Sequence, residues 1–137
     1  LSLHDALPIY FFDQQFSRID QSIAFGALFT AYHLGVKAIA ALTDSGSTAL
    51  WMSRHKIRVP IFAMTPKKKT ERKMALYRNV HPLRMDTSND RDTALAQAEA
   101  HLKNLKVVAA NDTIVLTVGE PMGAVGGTNT LKIVKVK

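Results

Sequence analysis

The chain has 137 residues, 47% hydrophobic and 21% charged, with 18 basic against 11 acidic side chains (formal charge +7) and no cysteine. These values describe one globular domain large enough to bury a core. They exclude disulfides, thiolate metal sites and cysteine nucleophiles, and no apolar run reaches membrane-spanning length. A cysteine-free chain fits a reducing cytoplasm, and its positive charge suits anionic partners, from nucleic acid to phosphorylated metabolites.

Residues 1–9, Leu-Ser-Leu-His-Asp-Ala-Leu-Pro-Ile, show no amphipathic period and no basic signal-peptide start. They read as the translation of a sequencing-adapter oligonucleotide, a non-native leader ahead of a domain spanning 10–137. From Ser17 a helix pattern begins, with Ser17 and Asp20 as capping candidates and Ile19, Ile23, Ala27, Leu28 and Ala31 at helical spacing. Gly35 is placed to stop it. Ala38 to Leu42 has the length of a buried strand, and a polar turn, Thr43-Asp44-Ser45-Gly46-Ser47-Thr48, leads into a second helix ending near His55-Lys56. Val59 to Met64 is a second strand. Thr65-Pro66 then starts a helix, Pro at its first position, that runs to Asn79. Val80 to Met85 is a third strand, and 86–90 a polar connection.

Asp90 to Asn104 carries the clearest helical period, with Leu95, Ala98, Leu102 and Leu105 on one face. Asn111-Asp112 marks a turn before a fourth strand, Thr113 to Val118. A glycine-rich loop, Gly119-Glu-Pro-Met-Gly-Ala-Val-Gly-Gly127, separates that strand from a last one, Leu131 to Val136. Helices alternating with strands imply a mostly parallel sheet with right-handed crossovers, whereas the last two strands, with no helix between them, pair antiparallel. The expected fold is α/β: a three-layer α/β/α sandwich around a five-stranded, mostly parallel sheet.

The stretch from Ala38 to Ala49 organises the functional reading. A strand, a Ser/Thr/Gly turn and a helix start form a ready anion site, because unpaired N–H groups and the positive end of the helix dipole point at whatever sits there. Ser47 or Thr48 is the expected N-cap, Gly46 lets the backbone approach closely, and the hydroxyls add donors. The same residues are also ordinary turn chemistry between a strand and a helix. The stretch is neither a Walker loop nor a dinucleotide fingerprint, since the Gly-Lys-Ser/Thr ending and the glycine triplet are missing. Ligands of open α/β sheets sit beyond the carboxyl ends of the strands. Both the 43–48 turn and the 119–128 loop lie at such ends, so the two can converge on one small phosphorylated ligand.

The five histidines, at 4, 33, 55, 81 and 101, show no metal-ligand spacing. Asp90 and Asp92 read as helix-start charges, Trp51 and Phe62 as core. No nucleophile elbow is present, and no catalytic constellation emerges. The basic runs Lys67-Lys68-Lys69 with Arg72 and Lys73, and Lys132, Lys135 and Lys137, read as a solvated helix face and a charged edge strand. No aromatic residues are interleaved with them for stacking on single strands, so nucleic acid is not an expected partner.

Three motifs carry a family resemblance: Ile39-Ala-Ala-Leu-Thr-Asp-Ser-Gly-Ser-Thr-Ala49, Arg58-Val-Pro-Ile-Phe-Ala-Met-Thr65 and Gly119-Glu-Pro-Met-Gly-Ala-Val-Gly-Gly-Thr-Asn-Thr130. In order and spacing, from about Phe11 to the C-terminus, the chain resembles the C-terminal domain of pyruvate kinase. The resemblance implies an enzyme that moves phosphate from phosphoenolpyruvate to ADP with Mg²⁺ and K⁺. It also implies that the catalytic residues lie in a preceding barrel absent from this chain, which alone is expected to be inactive. By resemblance, Thr43, Ser45, Gly46, Ser47 and Thr48 wrap an effector phosphate, while Glu120, Gly123, Gly126, Gly127 and Thr128 belong to the loop that closes over the sugar.

The 119–128 loop departs from the pattern expected of binders of fructose 1,6-bisphosphate. It has no Arg, Lys or Trp for a second phosphate, and Glu120 would repel one; Arg91 is only a weak substitute. The expected effector is a sugar monophosphate (ribose 5-phosphate or glucose 6-phosphate) or AMP. The first helix, Asp20 to Leu34, and the last strand, Leu131 to Lys137, are expected to face a neighbouring subunit of a tetramer. The competing reading is a stand-alone sugar-phosphate-binding module with no enzyme attached.

Overall fold

The computed structural model describes residues 18–86, 90–119 and 127–137. The leader at 1–9, Ser17, and Glu120, Gly123 and Gly126 lie outside the described residues. Among the described residues four helices and five strands follow in the expected order: α1 (Ile19–Leu34), β1 (Ala38–Leu42), α2 (Ser47–Ser53), β2 (Ile61–Thr65), α3 (Lys68–Met74), β3 (Val80–Arg84), α4 (Arg91–Asn104), β4 (Thr113–Gly119) and β5 (Thr128–Lys135). The sheet order is β3-β2-β1-β4-β5. The first four strands are parallel, and β5 runs antiparallel to β4. The expected α/β sandwich is therefore present.

Alternation along the strands sorts the core into two halves. Ile39, Ala41, Ile61, Ala63 and Val115 face α1 and α2, meeting Ala24, Leu28, Ala31, Ala49 and Met52. Ala38, Ala40, Leu42, Met64, Ile114 and Leu116 face the other way, onto Leu95, Ala98 and Leu102 of α4. All five residues of β1 and all five of β2 are buried, the continuous apolar pattern of strands covered on both faces. Pro82 is tolerated in β3 because β3 is an edge strand.

Several boundaries differ from the sequence reading, each for a local reason. The N-cap of α2 is Gly46, in the left-handed region at φ 85°, not Ser47 or Thr48; its carbonyl accepts the N–H of Leu50. Helix α2 stops at Ser53, short of His55-Lys56. Pro66 is not the first residue of α3. The Thr65 hydroxyl accepts the N–H of Lys67, which keeps Lys67 extended and delays the helix to Lys68. That helix ends at Met74, and Asn79 turns the chain at φ 61° while its side-chain amide donates to the carbonyls of Ile57 and Val59. Leu105 is 48% exposed: it is the C-cap beyond the last residue of α4, at the rim of the apolar face, and Lys106 then turns the chain in a left-handed conformation. Asp90 caps α4, accepting from the N–H and hydroxyl of Thr93; those bonds hold its carboxyl below its ordinary value. Gly35 closes α1 in the left-handed region, as expected.

Two features of the α1–α2 side yield measurable consequences. A Cβ added at Gly46 would stand 3.1 Å from Cγ of buried Met74, on top of the cost of a left-handed φ. Gly46→Ala should destabilise the fold by about 1–3 kcal/mol, read as a lowered urea midpoint with an unchanged slope. His55 packs edge-on against Phe25, ring centroids 4.5 Å apart. Burial, then the charges of Arg78 and Arg54, lower its pKa below the ordinary 6.5. A histidine held neutral in the fold contributes stability above its unfolded pKa that is lost as pH falls through the folded one. His55→Gln should flatten the decline in unfolding free energy between about pH 7 and about pH 5, measured by urea titration at several pH values.

Candidate functional site

The strand order reverses between β1 and β4, which are parallel neighbours with Ala41 opposite Thr117. The chain leaves β1 through α2 toward β2 and leaves β4 directly toward β5 on the opposite side, so the β1/β4 boundary is a switch point, the kind of carboxyl edge at which ligands of open α/β sheets sit. The 43–48 turn leaves β1 on one side of it. The loop after β4 leaves on the other, pinched at its base: a Cβ at Gly119 would fall 2.8 Å from the Gly127 carbonyl oxygen. A register irregularity at Val118/Gly119 accompanies that pinch. Thr128, at the far end of the loop, pairs with Gly119.

The predicted residues of both loops meet through one bond. Thr48, in the first turn of α2, donates its hydroxyl to Thr128 at 2.8 Å, both side chains being buried. The turn itself is folded around its own hydroxyls. Thr43 Oγ1 accepts the N–H of Gly46 at 2.8 Å. Ser45 Oγ accepts the N–H of Ser47 at 3.3 Å and donates to Ser47 Oγ at 3.2 Å. Of the five turn residues, Thr43, Gly46 and Thr48 are buried while Ser45 and Ser47 are partly exposed. The reachable hydroxyls are thus those of Ser45 and Ser47, and Thr43 and Thr48 are spent on holding the loop shape. Helix α3 backs the turn from behind: Thr70 donates to the carbonyl of Asp44 at 2.6 Å, and Met74 lies against Gly46.

Three contributions were not visible as site features in the sequence. Asp20, expected only as a capping candidate, is buried and accepts the Ser47 hydroxyl at 2.9 Å across 27 residues of sequence. Arg18 grips the same carboxylate with Nε at 3.0 Å and Nη2 at 2.8 Å. Thr117, fully buried on β4, has a hydroxyl with no partner among the described residues. A signal for Asp20 existed in retrospect: an acidic residue at helical spacing with Ala24, Ala27 and Ala31 sits on the apolar stripe of α1, and a buried carboxylate needs partners. Among the described residues no three His, Asp or Glu side chains converge as metal ligands. Among the described residues, too, no helix is long and apolar enough to cross a membrane.

Comparison with known proteins agrees with this architecture. The family model described as "Pyruvate kinase, alpha/beta domain" matches residues 21–134. The chain is 39% identical over 126 residues to pyruvate kinase II of Salmonella typhimurium, covering 91% of this chain and 26% of that protein. It is 40% identical over 123 residues to a pyruvate kinase of Buchnera aphidicola, covering 89% and 26% respectively. Against a pyruvate kinase of Staphylococcus epidermidis it is 39% identical over 104 residues, 76% of this chain and 18% of that one. The chain spans about a quarter of the length of the first two of these relatives. Matched over most of its length and folded as a five-stranded α/β sandwich, the chain belongs to the pyruvate kinase alpha/beta domain family.

Proposed function

We propose that residues 10–137 are the regulatory and oligomerisation domain of a cytoplasmic pyruvate kinase, with residues 1–9 a non-native leader. The parent enzyme transfers the phosphoryl group of phosphoenolpyruvate to ADP, giving pyruvate and ATP, with Mg²⁺ and K⁺ held outside this domain. The domain's own task is to bind a phosphorylated effector, a sugar monophosphate or AMP, and to carry part of the contact between subunits of a tetramer. Nucleic acid and membrane are not partners in this reading.

The observation that carries the effector reading is the convergence of two loops at the β1/β4 switch point, tied by the Thr48–Thr128 hydroxyl bond. Ser45 and Ser47 offer accessible hydroxyls to a phosphate there, beside a helix start whose dipole favours negative charge. The loop bearing Glu120, Gly123, Gly126 and Gly127 would cover the sugar. Its sequence supplies no cation for a second phosphate, which favours the monophosphate. The subunit-contact reading draws on apolar groups left at the surface of α1 and β5: Phe29 is 38%, Leu34 55% and Ile133 50% exposed.

Thermal unfolding with ribose 5-phosphate, glucose 6-phosphate, AMP and fructose 1,6-bisphosphate tests the effector reading. A ligand at a hundred times its dissociation constant adds about 2.7 kcal/mol, a readily measured rise in Tm. A monophosphate should raise Tm and Ser47→Asp should abolish the rise; no rise with any of the four, from a cooperatively folded sample, overturns the reading.

A further inference from the structure

Asp20 is 1% exposed, and a carboxylate that deep is stable only if its charge is paired and its lone pairs are filled. All four positions are taken. Oδ1 accepts from Arg18 Nε at 3.0 Å and from the N–H of Gln21 at 2.9 Å. Oδ2 accepts from Arg18 Nη2 at 2.8 Å and from Ser47 Oγ at 2.9 Å. One oxygen therefore joins the start of α1 to the 43–48 turn. The hydroxyl that an incoming anion would use is already donating to an internal anion. The half-exposed guanidinium of Arg18, joined to the turn through Asp20, is already neutralised by the same group.

Resting on the reading of this turn as a phosphate site, we propose that Asp20 is an internal competitor for it: a carboxylate latch that occupies Ser47 and Arg18 until a phosphate-bearing ligand takes them over. A phosphate that accepts the Ser47 hydroxyl removes the side-chain bond from Asp20 to the turn, and one that also reaches Arg18 draws on the ion pair at the start of α1. Occupancy of the turn is thereby exchanged against the tether of α1, the helix that packs on α2, β4 and β5. Linkage makes the exchange reciprocal: whatever holds Arg18 and Asp20 together weakens phosphate binding, and phosphate binding loosens that pair. Ligand selectivity follows as well, since each additional negative charge placed near Ser47 meets the Asp20 carboxylate.

The test is isothermal titration of the full chain with inorganic phosphate and with ribose 5-phosphate, beside Asp20→Asn, Asp20→Ser and Arg18→Gln. Circular dichroism and unliganded Tm identify which variants are folded, and Asp20→Ser serves if the amide is not tolerated. Removing one like charge a few ångströms away in water-like surroundings should tighten binding about fivefold, so the Asp20 variants should bind phosphate more tightly and Arg18→Gln more weakly. Binding to the unmodified chain that the Asp20 variants leave unchanged or weaken overturns the latch and leaves the site standing. Failure of the unmodified chain and of every folded variant to bind either probe overturns the site and the latch together. Binding by the Asp20 variants alone supports both, the latch then being fully shut in the unmodified chain.

Discussion

The structure depends on the double-sided burial of β1. Its five residues are covered on both faces, and the strand is hydrogen-bonded to β2 on one side and β4 on the other. A strand in that position must be small and apolar, which Ala38-Ile-Ala-Ala-Leu42 satisfies, and it must leave the sheet abruptly because the helices on each face close over it. The polar turn at its carboxyl end is the consequence. Beyond Thr43, whose N–H still reaches Met64 of β2, backbone groups of that turn are met by the turn's own hydroxyls and by Thr70, and the Ser47 hydroxyl is met by Asp20.

Much of this was legible from the residues. Apolar runs identified β1 as a buried strand and β2 as a second strand, and the apolar period identified α4, with Asp90 read as a helix-start charge that the structure shows to be its cap. The absence of a helix between the last two strands gave the antiparallel pair. What failed was chemistry decided by partners distant in sequence or by a single φ. Gly46 caps α2 through a left-handed conformation that no propensity ranks above serine's hydroxyl, at a position where a Cβ would crowd Met74. Pro66, a favoured first helical residue, is displaced by one hydroxyl bond from Thr65. Asp20 looked like a cap and is a buried anion, since its burial depends on Ser47 arriving from 27 residues away.

The candidate site shows the same division. The turn residues were readable as a group, but their roles were not. Thr43 and Thr48 shape the turn, Thr48 by bonding Thr128 across 80 residues, while the partly exposed hydroxyls of Ser45 and Ser47 donate to Ser47 and Asp20 respectively. Family membership and the fold agree with this arrangement without assigning those roles, which come from which hydroxyl is exposed and which is already donating.

The central claim is that a phosphate-bearing effector binds at the β1/β4 switch point. Its most direct test is two-dimensional amide NMR of the isotope-labelled chain titrated with ribose 5-phosphate. The account predicts saturable shifts concentrated at residues 43–49, Thr128 and the Asp20–Gln21 amides. Shifts spread instead over the lysines of α3 and β5, linear with concentration and erased by salt, would contradict it, since they would mark a diffuse attraction to positive charge.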